Sequence, residues 1–255
     1  MADDYANGRE LEIAPPLEAI ERGVSLFLDL DGVLANIEPT PDEVVPDKER
    51  TERLTRLQKM LEGRVAILSG RTIEDVDRIT EKSIALVAGV HGLQSRGFEA
   101  EESEPGEKDR VGLALAAAKD FSRSYPLLLI ENKDVAVAIH YRDTPNSASA
   151  VKEFADKIAR TFGLVRQSGH FVEEVRLGGP NKGDALRRFM TLPEFKATRP
   201  IMIGDDRTDE DGFEAADELG GFGIRVNPQG PTLARYRLDS AEHVAAWLDA
   251  FLGRK

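Results

Sequence analysis

The chain has 255 residues, of which 41% are hydrophobic and 31% charged, with a net charge of −12, a pI of about 5.0 and no cysteine. This length supports one large domain or a core with a smaller companion, and the apolar content excludes a disordered chain. The acidity argues against nucleic-acid phosphate as a partner, and the missing cysteines exclude disulfides and thiolate-held zinc.

Residues 1–12 are polar and acidic, with neither a basic start nor an apolar stretch, so no secretory leader is expected there. No apolar run approaches the roughly 18 residues of a membrane span. The expectation is a cytoplasmic protein with no membrane partner.

Residues 24–28 are an apolar run of strand length that ends on Asp29-Leu30-Asp31-Gly32. Two carboxylates two positions apart leave the strand together, and Gly32 permits a backbone conformation closed to other residues. Like charges that close call for a cation or a shared proton. The segment reads either as a metal-assisted carboxylate nucleophile or as a strand ending in two solvated acids.

An amphipathic helix is predicted over 48–61, a strand over 64–68, a helix over 73–80 and a strand over 84–88. Such alternation predicts a parallel sheet covered by helices. The strand ending at Leu68 runs into Ser69-Gly70-Arg71. A hydroxyl beside a glycine at a helix start can bind an anion, or simply cap the helix.

Residues 101–109 combine charge, proline and glycine, which marks a surface connection. Beyond them the pattern changes to a helix over 110–123, strands over 127–131 and 135–141, a helix over 148–162, and strands over 164–167 and 171–177. The Asn132-Lys133-Asp134 link suggests a hairpin, hence an antiparallel sheet in a small α+β insert over about 103–177.

From residue 178 the α/β pattern returns, with helices over 182–190, 210–216 and 241–252 and strands over 200–203 and 222–226. Lys182 lies in the first turn of its helix, where the dipole disfavours a cation unless an anion is near. Residues 203–211, Ile-Gly-Asp205-Asp206-Arg-Thr-Asp209-Glu-Asp, crowd acids at a strand end beyond what capping needs. Hard oxygen ligands in that number suggest Mg²⁺.

These four segments, in this order, resemble the motifs of the haloacid-dehalogenase-like phosphatases, and the insert resembles that superfamily's C2-type cap. Within the superfamily the chain is more closely similar to the trehalose-6-phosphate phosphatases. That narrower likeness rests on Ser69-Gly-Arg71-Thr72, Gly89-Val-His91-Gly92, Glu131-Asn-Lys133, His140-Tyr-Arg142, Glu174-Val-Arg176 and residues 204–213. The implied fold class is α/β: a Rossmann-like parallel-sheet core over 16–102 and 178–255 with an inserted α+β cap over 103–177.

The resemblance implies that Asp29 attacks phosphorus and that Asp31 protonates the leaving sugar oxygen, then activates water. It implies that Ser69 and Lys182 hold the phosphoryl oxygens. Asp29, Asp31 and Asp205 would ligate Mg²⁺, with Asp206 and Asp209 in support. Arg71, His91, Glu131, Lys133, Arg142, His170 and Glu174 would bind substrate. Where the family pattern has a lysine after Gly169, this chain has His170. His140 sits in an apolar strand and reads as a core residue.

The implied reaction is Mg²⁺-dependent hydrolysis of trehalose 6-phosphate. Alternatives are a related phosphatase for sucrose phosphate, glucosylglycerol phosphate or mannosyl-phosphoglycerate, and a non-catalytic sugar-phosphate sensor. A trehalose-phosphate synthase partner is conceivable. The cap is expected to close on hinges near 103–108 and 177–180.

Overall fold

The computed structural model describes residues 5–6, 9–14, 23–99 and 106–253. The expected domain starts at 16 and 103, part of stretch 1–12 and part of segment 103–108 lie outside these. Two compact units divide the chain: Met1–Glu99 with Pro180–Lys255, and Ala100–Gly179.

The first unit opens with β1 (Tyr5–Ala6) and β2 (Arg9–Glu10), an antiparallel pair, and β3 (Glu12–Ile13). It continues with β4 (Val24–Leu28), α1 (Lys48–Met60), β5 (Val65–Leu68), α2 (Ile73–Thr80), β6 (Leu86–Gly89) and β7 (Gln94–Arg96). The second unit holds α3 (Glu107–Ser122), β8 (Leu129–Asn132), β9 (Ala136–His140), α4 (Ala148–Phe162), β10 (Val165–Gly169) and β11 (Val172–Arg176). The first unit then resumes with α5 (Lys182–Met190), β12 (Arg199–Gly204), α6 (Glu210–Glu218), β13 (Phe222–Val226), β14 (Tyr236–Leu238) and α7 (Ala241–Leu252).

The core sheet has the order β3-β14-β13-β12-β4-β5-β6-β7 and is parallel except for the β6–β7 pair. All five residues of β4 are buried, as a central strand covered on both faces requires. Alternation sends Leu26 and Leu28 to one face, where they pack with Leu54 and Leu57 of α1, Ile79 of α2 and Leu248 of α7. Phe27 points to the other, against Phe189 of α5 and Phe213 of α6. Full burial of a side chain such as Phe27, which is 0% exposed, is worth roughly 2–3 kcal/mol. This sandwich fixes where β4 and β12 end, and both end on acids.

The second unit is an antiparallel sheet of order β10-β11-β9-β8, with β8 and β9 joined as the expected hairpin. Its register sets Glu131, Ala138, Glu174 and Gln167 in one cross-strand row. Arg166 points to the opposite face and meets Asp156 of α4 at 3.0 Å. The helices therefore cover that face, and the Glu131–Glu174 row lies on the other.

Candidate active site

Asp29 follows the last residue of β4, and its backbone N–H donates to Ile203 O of β12 at 2.9 Å. The sheet thus continues one residue beyond the strand and fixes the nucleophile candidate. Its Oδ1 accepts from Leu30 N–H at 2.7 Å, and its Oδ2 lies 2.9 Å from Lys182 Nζ. The side chain is buried.

Lys182 is the first residue of α5, whose start is set by a reciprocal Asn181–Asp184 capping box. Its ammonium, almost wholly buried, bridges Asp29 and Asp209 Oδ1, the latter at 2.7 Å. The conflict between a cation and the helix N-terminus is thereby answered by two carboxylates.

Asp209 is itself held in place. Its Oδ2 accepts from the backbone N–H groups of Asp205 and Asp206, both at 3.0 Å. This folds the acidic segment back on itself over Gly204, where a Cβ would fall 2.2 Å from Asp209 Cγ. Asp206 turns to capping duty, accepting from Arg207 N–H and opening the short turn Arg207–Asp209. Behind it, Arg225 Nη1 donates to Asp206 O at 2.6 Å and to Glu210 Oε1 at 2.9 Å. Glu210 Oε2 in turn accepts from Leu233 N–H at 2.7 Å. Sequence reasoning missed Arg225, although a charge inside the buried run Phe222–Val226 was a visible signal.

Carboxylate oxygens of Asp29, Asp205 and Asp209 lie within 4.8 Å of one another. Burial, with Asp209 and Asp205 adding to it, drives the Asp29 carboxyl well above the usual range against the pull of Lys182. Burial and then Asp209 push Asp205 up to about 7, again against Lys182. Burial opposes the Lys182 charge, yet Asp209 and Asp29 outweigh it and raise its pKa. Three acids thus gather around the Lys182 ammonium, and Arg225 also acts on Asp205. An oxygen-only donor set with a surplus of negative charge fits Mg²⁺.

Asp31 sits apart from that trio. Arg71 Nε donates to its Oδ2 at 2.8 Å and Nη2 to its Oδ1 at 2.9 Å. Ser69 is fully buried at the end of β5, and its Oγ accepts from Arg71 N–H at 3.2 Å. Ser69 does not cap α2; Thr72 does, accepting from Asp75 N–H. His91 donates its N–H to Ser69 O at 2.9 Å, and its ring lies against Gly70.

In the second unit, Lys133 is buried and ion-paired with Glu174, and its Nζ lies 3.8 Å from Glu131 Oε2. Neither it nor Glu174 is a solvated strand residue. His140 departs from the expected core role: its Nε2 lies 2.8 Å from the same Glu131 oxygen. The register explains why, since Glu131 pairs with Ala138 and His140 follows two positions on, on the same face. Arg142 and His170 gather elsewhere, around Phe171, with the guanidinium 6.0 Å and the imidazole 4.8 Å from its ring centre.

A family model described as Trehalose-phosphatase matches residues 27–242. The chain belongs to the trehalose-phosphatase family. The enzyme is 34% identical over 231 residues to the trehalose-6-phosphate phosphatase of Escherichia coli (strain K12), covering 88% of this chain and 84% of that one. It is 35% identical over 212 residues to a probable trehalose-phosphate phosphatase of Sinorhizobium fredii, covering 81% of this chain and 79% of that one. A crystal structure of a trehalose-6-phosphate phosphatase related protein superposes with a TM-score of 0.70 at 27% identity, over 89% of this chain and 96% of the other. The expected α/β fold and phosphatase class are thereby borne out. Among the described residues, no helix is long and apolar enough to cross a membrane.

Proposed function

We propose that the enzyme hydrolyses trehalose 6-phosphate to trehalose and phosphate, through a phosphorylated Asp29, with Mg²⁺ as cofactor. The observation that carries the reading is the buried Asp29–Lys182–Asp209 bridge beside Asp205. It presents a fixed carboxylate nucleophile, a cation for phosphoryl oxygens and a donor set for a divalent ion at the ends of two central strands. The family membership and the relatives' substrate support trehalose 6-phosphate.

On this reading each group has its own step. An Asp29 oxygen forms a bond to phosphorus as the bond from phosphorus to the sugar oxygen breaks. Asp31 gives that oxygen its proton, then accepts one from the water that hydrolyses the acyl phosphate and returns Asp29 to a carboxylate. Lys182 and Ser69 hold the phosphoryl oxygens. Asp29, Asp205 and the Asp31 carbonyl would hold Mg²⁺, with Asp209 fixing the segment that carries Asp205. When bound, Mg²⁺ supplies charge neutralisation between an anionic nucleophile and an anionic phosphate.

The second unit would select the sugar, with Glu131, Lys133 and Glu174 as its hydrogen-bonding groups. A panel of sugar phosphates, assayed with Mg²⁺ and with chelator, tests the reading. Phosphate release should be fastest from trehalose 6-phosphate and stop with chelator. Release no faster than from sucrose phosphate or glucosylglycerol phosphate would overturn the substrate.

A further inference from the structure

Arg71 is expected from the resemblance to bind substrate, and its guanidinium meets Asp31 and Pro41. Nε and Nη2 fork onto the two Asp31 oxygens at 2.8 and 2.9 Å, and Nη1 donates to Pro41 O at 2.9 Å. The other end of the residue is also fixed: its N–H donates to Ser69 Oγ at 3.2 Å, and its carbonyl accepts from Val90 N–H at 2.9 Å. Arg71 is buried, whereas the Asp31 side chain keeps 35% exposure. A rigid, buried fork thus holds a carboxyl group that still faces outward.

Resting on the phosphatase reading, we infer that Arg71 is a positioning residue for Asp31, fixing the plane and aim of its carboxyl group toward the departing alcohol oxygen. A two-point guanidinium contact sets orientation as well as position, which a lysine point charge does not. The fork uses one lone-pair site on each Asp31 oxygen and leaves the other for the transferred proton and the sugar oxygen. In that step the phosphorus–oxygen bond of the ester breaks, a bond from Asp29 to phosphorus forms, and the proton passes from Asp31 to the sugar oxygen. Free to rotate, Asp31 would present that proton in the right direction only part of the time.

The test exploits a leaving group that needs no proton. First-turnover release of trehalose from trehalose 6-phosphate and of nitrophenolate from p-nitrophenyl phosphate is measured with Mg²⁺ for wild type, Arg71→Gln and Arg71→Lys. A positioned acid is worth on the order of 10²-fold or more, so both variants should lose about that factor on trehalose 6-phosphate and far less on p-nitrophenyl phosphate. Inorganic phosphate should inhibit all three proteins alike.

Equal losses on both substrates, or weakened inhibition by phosphate, would make Arg71 a phosphate ligand and overturn the inference. A faster variant would make the pair a resting-state latch, and full rescue by Arg71→Lys would show that charge alone matters; either outcome also overturns it. Should Arg71→Gln fold poorly in a thermal melt, Asp31→Asn decides: adding Arg71→Lys to it should slow trehalose 6-phosphate no further, and a further tenfold loss counts against the inference. If wild type releases phosphate from neither substrate, the phosphatase reading fails first and the inference falls with it.

Discussion

Gly32 faces the carboxylate of Asp205 so closely that a Cβ built on it would lie 2.1 Å from Oδ2. Its φ of +71° adds a second demand for glycine. The obstacle is the end of a side chain, so the protein can yield there by moving Asp205. Gly32→Ala should therefore fold with a loss of about 1–3 kcal/mol, while Mg²⁺ affinity falls by about 10–100-fold as Asp205 is displaced. Urea denaturation and Mg²⁺ titration by calorimetry check the two effects separately; unchanged metal affinity would sink the account.

Lys182 offers the converse case. Its ammonium compensates Asp29 and Asp209, both buried. Lys182→Met would leave two acids without their cation, a change that typically costs about 3–5 kcal/mol. Asp29→Asn in the same chain should return part of that loss, because one uncompensated charge disappears. Urea midpoints of the two singles and the double, with and without Mg²⁺, give the coupling. Strict additivity would contradict the bridge.

Elements of both units were legible where apolar residues are regularly spaced. Helices α2, α4, α5 and α7 and strands β4 and β13 coincide with their expected bounds. Strands β3, β7 and β14 were not read from the sequence. Gln94–Arg96 is polar and half-buried along its length, so an edge position leaves no apolar run to detect. The candidate acids could be picked out because strand ends carry them. Their partners could not: Arg71 reaches Asp31 across 40 positions, and no spacing rule links them. The contact between His140 and Glu131 was within reach, since a hairpin register places them diagonally on one face.

The raised Asp205 pKa has a definite sign in stability. The folded state holds its proton up to about 7 against an ordinary value of 3.8, chiefly because the group is buried. Between those values the folded chain binds more protons than the unfolded one, so metal-free stability declines as pH rises through that window. Melting temperatures of wild type minus those of Asp205→Asn, taken without metal from about pH 5 to about pH 8, should fall with pH by several degrees. Mg²⁺ held as proposed would compete with the proton for the same oxygens, so saturating metal should flatten the slope. A difference that does not change with pH would refute the assignment.

Lys133 sits between Glu174 and Glu131 as Lys182 sits between Asp29 and Asp209. Here, however, His140 also touches Glu131, at 2.8 Å, so the pattern is a file of four polar groups on one face of the sheet. Removing the central cation sets two carboxylates against each other, with His140 beside Glu131. Lys133→Met should loosen β8, β9 and β11 by about 3 kcal/mol, the cost of orphaning a buried charge. Adding Glu174→Gln should recover part of this, because the buried group that lost the Lys133 cation is then neutral. Amide hydrogen exchange of these three strands reads the loss locally. The proposed sugar contacts should fail in both proteins, with KM for trehalose 6-phosphate raised at least about tenfold, as expected when polar recognition groups are removed, and the rate on p-nitrophenyl phosphate nearly kept. If Glu174→Gln restores exchange protection and KM together, the file is structural and the sugar must be read elsewhere on the sheet.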